Sequence, residues 1–591
     1  MTSQMYQATR PVATLARAWA HSGNHGLPTV ATRIDAMAVY WPTLILCILL
    51  LLLSGTIYAW EPNTKDLDTA INRGDFGEYS TKISAWLNTK VPADPSGISE
   101  ASLESLLKDP VFANALAQRQ MISKVGVDDM GAFARGDQKK RDFLAWLLRN
   151  TAAMDLCLEG ATPVGIRHRQ ENNWRIGASS LDIWHRIFRA DPESKEGIYL
   201  KLAIATGLNP PGTGNRGAGQ AKTPADPVDR YEHFKVAHKN KELFPSFDNL
   251  TVWECRQIVS CNASNADLAW AREMINTWRP DLRINEQVVN STSEVWRRFS
   301  PFPFDDTFKN VLAGGGKCGP RSSWAVFICQ AFGIPAVGVG QPGHACAAYK
   351  AAYPHVEPQP GYAWKVVYGR AWRFSKTCGL SGPEFMEGME ARSHAPEFSQ
   401  IEHLRWLAAM LDSKERADAV MKVAVNTAKA TPAVGSADQK VRVVDDAPGV
   451  SKTEPPWKPV PGVIHIEAES FSKSAGVVVH DCFTGGKQVY SPKYGTGWGT
   501  PPRIEYVVEV PETGTYGLTM TAAVVNFEQS IEVAAGTNKP VSVKVPNTRG
   551  LWGTTPEVDV RLKKGTQTLT LTRPALQRGL ALRWLELKSK R

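Results

Sequence analysis

Hydrophobic patterning divides the chain before any single residue is considered. From residue 36 to residue 60 no position carries a charge, and 44–53 is apolar on every side. About 20 apolar residues cross a bilayer, so the pattern predicts a membrane-spanning signal anchor over 36–60. Arg10, Arg17 and Arg33 precede it, which puts the N-terminus in the cytoplasm. A cleaved signal peptide fits as well: Met37 serves as a start, 43–53 as the apolar region, and Ile57-Tyr58-Ala59 ends in a small residue. Both readings export the bulk of the chain, as a membrane-anchored extracytoplasmic body or a secreted protein.

Over 61–300 apolar residues recur at three and four, as in 143–148, 181–189, 198–206 and 268–278, which predicts helices. Asn209-Pro210-Pro211-Gly212 opens a loop. The period then changes. A helix over 324–332 closes on Gly333 and stops at Pro335. Short strands fit 336–340, 344–349, 363–368 and 371–375, and a helical stretch covers 401–425. Residues 427–461 hold Thr431-Pro432, Glu454-Pro455-Pro456 and Pro459-Val460-Pro461 with few large apolar residues, the composition of a stiff linker. Beyond it the period is two, as in Arg503-Ile504-Glu505-Tyr506-Val507-Val508-Glu509-Val510. Short strands at that spacing predict a β-sandwich. The expected division is 1–35 basic segment, 36–60 anchor or signal, 61–300 helical region, 301–426 core, 427–461 linker and 462–591 sandwich.

A chain of 591 residues exceeds one core, in keeping with that division. The net charge of +10 raises nucleic acid as a partner. The excess is diffuse: 462–591 holds 16 Lys+Arg against 11 Asp+Glu, and no basic run exceeds two or three residues. Nucleic acid binding is not expected. Nine cysteines do not make a disulfide scaffold, although Cys255 and Cys261 could pair in an oxidising compartment.

The candidate chemistry lies at Gly314-Gly315-Gly316-Lys317-Cys318-Gly319-Pro320. The glycines make a permissive loop, and Pro320 suits a first helical turn, so Cys318 stands at a helix start. Unpaired N–H groups there stabilise a thiolate, the nucleophilic form. His344 opens a strand 26 residues on and could take the thiol proton, then protonate a leaving group. Cys318, Cys329, His344 and Cys346 lack the paired spacing of a zinc site, so no metal or cofactor is expected for catalysis.

These residues resemble the transglutaminase-like branch of the papain-like cysteine enzymes. The matches are Gly316-Lys317-Cys318, Gly333-Ile334-Pro335 and Gly343-His344. The resemblance implies an α+β core and acyl transfer from a peptide or protein donor, whether transglutamination, amide hydrolysis or proteolysis. Such relatives carry an aromatic residue beside the histidine and an aspartate on the next strand. Here Cys346 follows His344 by two, and 345–400 contains no aspartate. Ser375 stands in the aspartate's place, and Glu357 is a second candidate partner for the imidazole.

The C-terminal unit resembles carbohydrate-binding modules of families 6 and 35, through Ile466-Glu467-Ala468-Glu469, Gly514-Thr515-Tyr516, Arg549-Gly550-Leu551-Trp552 and Leu582-Arg583-Trp584-Leu585. The resemblance implies stacking of a polysaccharide or glycoconjugate on Trp552, with Tyr490, Tyr494 and Trp498 as further candidates. It also implies a structural calcium on Glu467 and Glu469, where Arg583 stands in an acidic residue's place.

The fold class expected is therefore multidomain: a helical N-terminal region, an α+β transglutaminase-like (papain-like) core and a C-terminal β-sandwich of jelly-roll type. The function expected is thiol-mediated acyl transfer or hydrolysis by a Cys318–His344 pair, held near a polysaccharide by the sandwich. The alternatives are a glycan-binding surface protein on a non-catalytic scaffold, and an amidase acting on glycoproteins.

Overall fold

The computed structural model describes residues 60–590 apart from 165–173, 214–222, 295–307, 342, 352–363, 368–373, 376–379, 432–456, 496–498 and 575–577. Of the segment 36–60 only Trp60 is described, so the membrane-spanning expectation lies outside the described residues. Among those residues no helix is long and apolar enough to cross a membrane.

Two compact units are present. Among the described residues the first holds α1 (Thr64–Arg73), α2 (Gly77–Lys90), α3 (Glu100–Lys108), α4 (Pro110–Val125), α5 (Val127–Gly136), α6 (Gln138–Arg149) and α7 (Thr151–Ala161), together with the later helices Ala395–Ala408 and Lys414–Ala430. Local chemistry sets their starts. Asn63 accepts the Asp66 N–H ahead of α1, and Asp109 accepts two N–H groups ahead of α4, whose first residue is Pro110. Phe112, Leu116, Met121, Phe143, Leu147, Met154 and Leu158 fill the interior. Arg392 fastens the later segment by donating to the Glu159 and Thr162 carbonyls at 3.0 and 2.7 Å.

The second unit begins with α8 (Ala178–Ala190), α9 (Gly197–Leu208), α10 (Pro227–Lys239), α11 (Val252–Val259), α12 (Asn265–Trp278), α13 (Asn285–Asn290) and α14 (Phe308–Gly314). Helix α15 (Cys318–Ala331) and strands β1 (Ala336–Gln341), β2 (His344–Lys350), β3 (Trp364–Val366) and β4 (Phe374–Ser375) follow. The four strands form an antiparallel sheet in the order β3-β2-β1-β4. The α12–α15 packing buries Trp270 against Trp324 edge-on at 6.1 Å. Cys255 and Cys261 are both free and buried rather than paired. Cys255 faces the interior from α11, and burial first, then Glu254, pushes its thiol up to about 12.

The C-terminal region forms two packed sheets. The larger holds β13 (Gly553–Thr554), β10 (Gly514–Val524), β16 (Leu580–Lys590), β8 (Lys487–Ser491) and β7 (Val478–Asp481), with β14 (Val558–Leu562) on β10 and β5 (Val463–Glu467) on β16. The smaller runs β12 (Val541–Val545), β11 (Gln529–Ala535), β15 (Gly565–Thr572), β9 (Arg503–Val510) and β6 (Lys473–Ala475). Alternation explains the layers: Ile504, Tyr506, Val508 and Val510 enter a core with Leu518, Val533, Leu569 and Leu585. Tyr506 satisfies its buried hydroxyl by donating to the Ala468 carbonyl at 2.7 Å.

Within this unit the sandwich is packed on α12 and the turn after it. Gln488, fully buried, donates to the Thr277 carbonyl at 3.0 Å. Trp270 donates to the Arg549 carbonyl at 3.1 Å. Gly550 has φ +76°, and a Cβ there would lie 2.3 Å from Met274 Cγ, so the close approach requires glycine.

Candidate functional site

The loop before α15 turns because Gly315 adopts φ +74° and Gly316 lies under Pro320, where a Cβ would meet the ring at 2.6 Å. Lys317 is the N-cap residue and supplies no side-chain cap. Cys318, a free and half-buried thiol, is thus the first residue of a helix whose opening N–H groups are not capped by a side chain. Gly333 ends the helix with φ +73°, and the Ile334 N–H returns to the Cys329 carbonyl at 2.9 Å.

His344 begins β2 opposite Gln341 and is exposed. Residues two apart on a strand share a face, so Cys346 lies on the same side as His344. Ser322, one helical turn past Cys318, donates to the Cys346 carbonyl at 2.5 Å and pins the start of α15 to this part of β2. Cys346 itself is buried and donates to the Val367 carbonyl at 2.9 Å. Burial pushes its thiol up, the Ala347 N–H opposes this, and the neighbouring Cys318 adds to it. The start of α15 and the start of β2 are therefore adjacent. Among the described residues no hydrogen bond joins Cys318 to His344.

Ser375 falls elsewhere. It pairs with Val339 in β1, and β1 separates β4 from β2. Two strand spacings, roughly 10 Å, lie between its backbone and that of β2. Glu357 lies outside the described residues. Sequence reasoning missed Ser322, although its spacing of four from Cys318 was a usable signal. It also missed Arg272, which donates to the Ala331 carbonyl at the end of α15 and to Glu242 at 2.9 Å each. Arg272 additionally faces His233, whose ring burial first, and then Arg272 and Arg230, hold neutral with a pKa of about 3. No periodicity marks that role.

The aromatic candidates divide. Tyr490 is 4% exposed, and its expected stacking role is corrected here. Trp278 meets its ring edge-on at 6.0 Å, and the Arg279 guanidinium lies over it at 4.5 Å, held by a bidentate pair with Asp281. Covered in this way and 4% exposed, the Tyr490 ring offers no face to a sugar. Tyr494 is half-buried and donates to the Arg573 carbonyl at 3.3 Å. Trp498 lies outside the described residues. Trp552 is half-buried, with the Arg583 guanidinium 5.8 Å from its ring. Glu467 engages His465 at 2.9 Å, and the Ala468 N–H between the two glutamates donates to the Arg583 carbonyl. Among the described residues no cluster of three or more His, Cys, Asp or Glu side chains could hold a metal.

Among solved structures, the chain is similar to the C-terminal family 6 carbohydrate-binding module of a marine laminarinase from Zobellia galactanivorans, at 19% identity over 22% of this chain and 99% of that one, with a TM-score of 0.19. A family 6 module of a Cellvibrio mixtus lichenase, solved with cellotriose, gives 23%, 22%, 98% and 0.19. A family 35 module from Clostridium thermocellum gives 19%, 22%, 98% and 0.19. No protein-family model matches the chain, and no curated protein matches it. The sandwich description rests on the two sheets themselves.

Proposed function

We propose that this chain is an exported, transglutaminase-like cysteine enzyme whose β-sandwich holds it on a polysaccharide or glycoconjugate. Cys318 attacks the carbonyl of a peptide or protein acyl donor as the thiolate. The N–H groups opening α15 hold the oxyanion, and His344 returns the proton to the departing amine. Water or an acceptor amine then releases the acyl group from the thioester. The observation that carries this reading is the Ser322–Cys346 bond, which brings an uncapped helix start bearing a half-buried thiol against the strand that begins with His344. Export rests on the apolar segment 36–60, and glycan targeting on the motifs of the sandwich. A second reading, a glycan-binding surface protein with a lapsed core, is favoured by the displacement of Ser375 and by the missing Cys318–His344 hydrogen bond.

Iodoacetamide alkylation of the full chain across pH tests the chemistry. Cys318 is expected to alkylate faster than the buried thiols, and His344→Ala is expected to slow it. Cys157 and Cys482, both buried, mark the background rate. A Cys318 rate no faster than those of Cys157 and Cys482, and unchanged by His344→Ala, would leave the lapsed-core reading standing.

A further inference from the structure

We infer that the outer face of the seven-stranded sheet carries a row of aromatic side chains, from Trp552 to Trp457, that binds several consecutive units of an uncharged polysaccharide. The inference rests on the glycan-targeting part of the proposed function and not on the Cys318–His344 pair.

The row follows from strand register. Trp584 and Glu586 alternate outward on β16, opposite Glu467 and His465 of β5. Between Thr521 and Ala522 of β10 the register shifts, because Trp584 pairs with the first and Leu582 with the second. Arg583 is the extra residue of that bulge, and bulges re-aim side chains. Its guanidinium lies 4.7 Å from the Trp584 ring and 5.8 Å from the Trp552 ring. On the other side Trp584 meets His465 at 5.7 Å. His465 in turn lies flat beneath Trp457, with centroids 4.2 Å apart and planes 21° apart. Trp457 is fixed in plane by donating from Nε1 to Glu586 at 2.7 Å. Every ring is thus held by its neighbour.

Three of these groups, Trp457, Trp552 and Trp584, are half-buried rather than enclosed. Rigid, partly open indole rings suit the C–H faces of pyranoses and lose little conformational entropy on binding. Glu467, with 48% of its side chain exposed, and Glu586, with 32%, flank the row as acceptors for sugar hydroxyls. The same carboxylates disfavour a polyuronate. With Tyr490 covered, the row leads away from the end of the sandwich that packs on α12.

Affinity electrophoresis of the full chain through soluble β-glucan, mannan and polygalacturonate tests the inference. Wild type is expected to be retarded by at least one neutral polymer and not by polygalacturonate. Trp457→Ala and Trp584→Ala are each expected to weaken that retardation at least tenfold in apparent Kd, and Trp457→Phe to restore most of it. Thermal unfolding of each variant separates lost binding from lost structure. Undiminished retardation of Trp457→Ala, with loss only in Trp552→Ala, would overturn the row while leaving glycan targeting intact. Retardation by polygalacturonate alone would overturn the stated ligand class. No retardation of wild type by any polymer would remove the row and glycan targeting together.

Discussion

Replacing Arg230 with methionine is expected to cost about 3–5 kcal/mol of stability, because it strips donors from a buried carbonyl cluster. Arg230 is fully buried in α10. Its guanidinium donates to the carbonyls of Val259 at 3.2 Å and Cys261 at 3.0 Å, to the Ala263 carbonyl, and to the Asn265 side chain at 2.6 Å. These acceptors lie where α11 ends and α12 begins, so one side chain closes a helix-to-helix turn. Burial lowers the guanidinium pKa, and Cys261 opposes, first by charge and then by hydrogen bonding. Methionine fills part of the volume and satisfies none of the four acceptors. Lysine is expected to recover little, since one ammonium cannot span the fork that guanidinium fills. Urea unfolding of the full chain, followed by tryptophan fluorescence, measures the effect. An unchanged midpoint for Arg230→Met would show that the turn holds without it.

Glu159→Gln is expected to stabilise the protein at pH 8 by up to about 3 kcal/mol and to do little at pH 4. Burial raises the Glu159 carboxyl from 4.5 to about 7; Ser399 opposes by hydrogen bonding, Asp155 adds by repulsion, His403 opposes, and Glu402 adds. The folded state therefore binds the extra proton between those values. Stability falls as pH rises through that window and stays lower above it. His403 cannot cancel the cost, because it already pairs with Asp155 at 3.1 Å. The amide keeps the shape and removes the charge. Thermal unfolding of both proteins at pH 4 and pH 8 is the measurement, and equal differences at the two values would contradict this origin.

Much of the architecture was legible because it depends on neighbours in sequence. The helix stop at Gly333, the strand that opens at His344 and the alternation of 503–510 are local, and each recurs in the structure. The stretch expected as one helix over 401–425 is interrupted at 409–413, where Ser413 caps a new helix by accepting the Arg416 N–H. That cap was visible in the sequence, but the apolar period ran across it. The candidate site was legible in part. Cys318 and His344 could be named from spacing, whereas Ser375 was assigned by its place in the chain, and strand order put β1 between it and β2.

By itself the sequence determined the periods of its segments, the glycines that the α15 loop requires and the places of a cysteine at a helix start and a histidine at a strand start. Those features follow from backbone sterics and from the repeat of helix and strand, which act over a few residues. Tertiary structure alone decided which aromatics remain open. Tyr490 and Trp552 were alike as candidate stacking rings, yet the first is closed over by Trp278 and Arg279 and the second stays half-open. It also decided that Trp457, an unremarked linker residue, lies on His465 and donates to Glu586, 129 residues on. Burial is a property of what arrives from elsewhere in the chain, and no local pattern encodes the arrival.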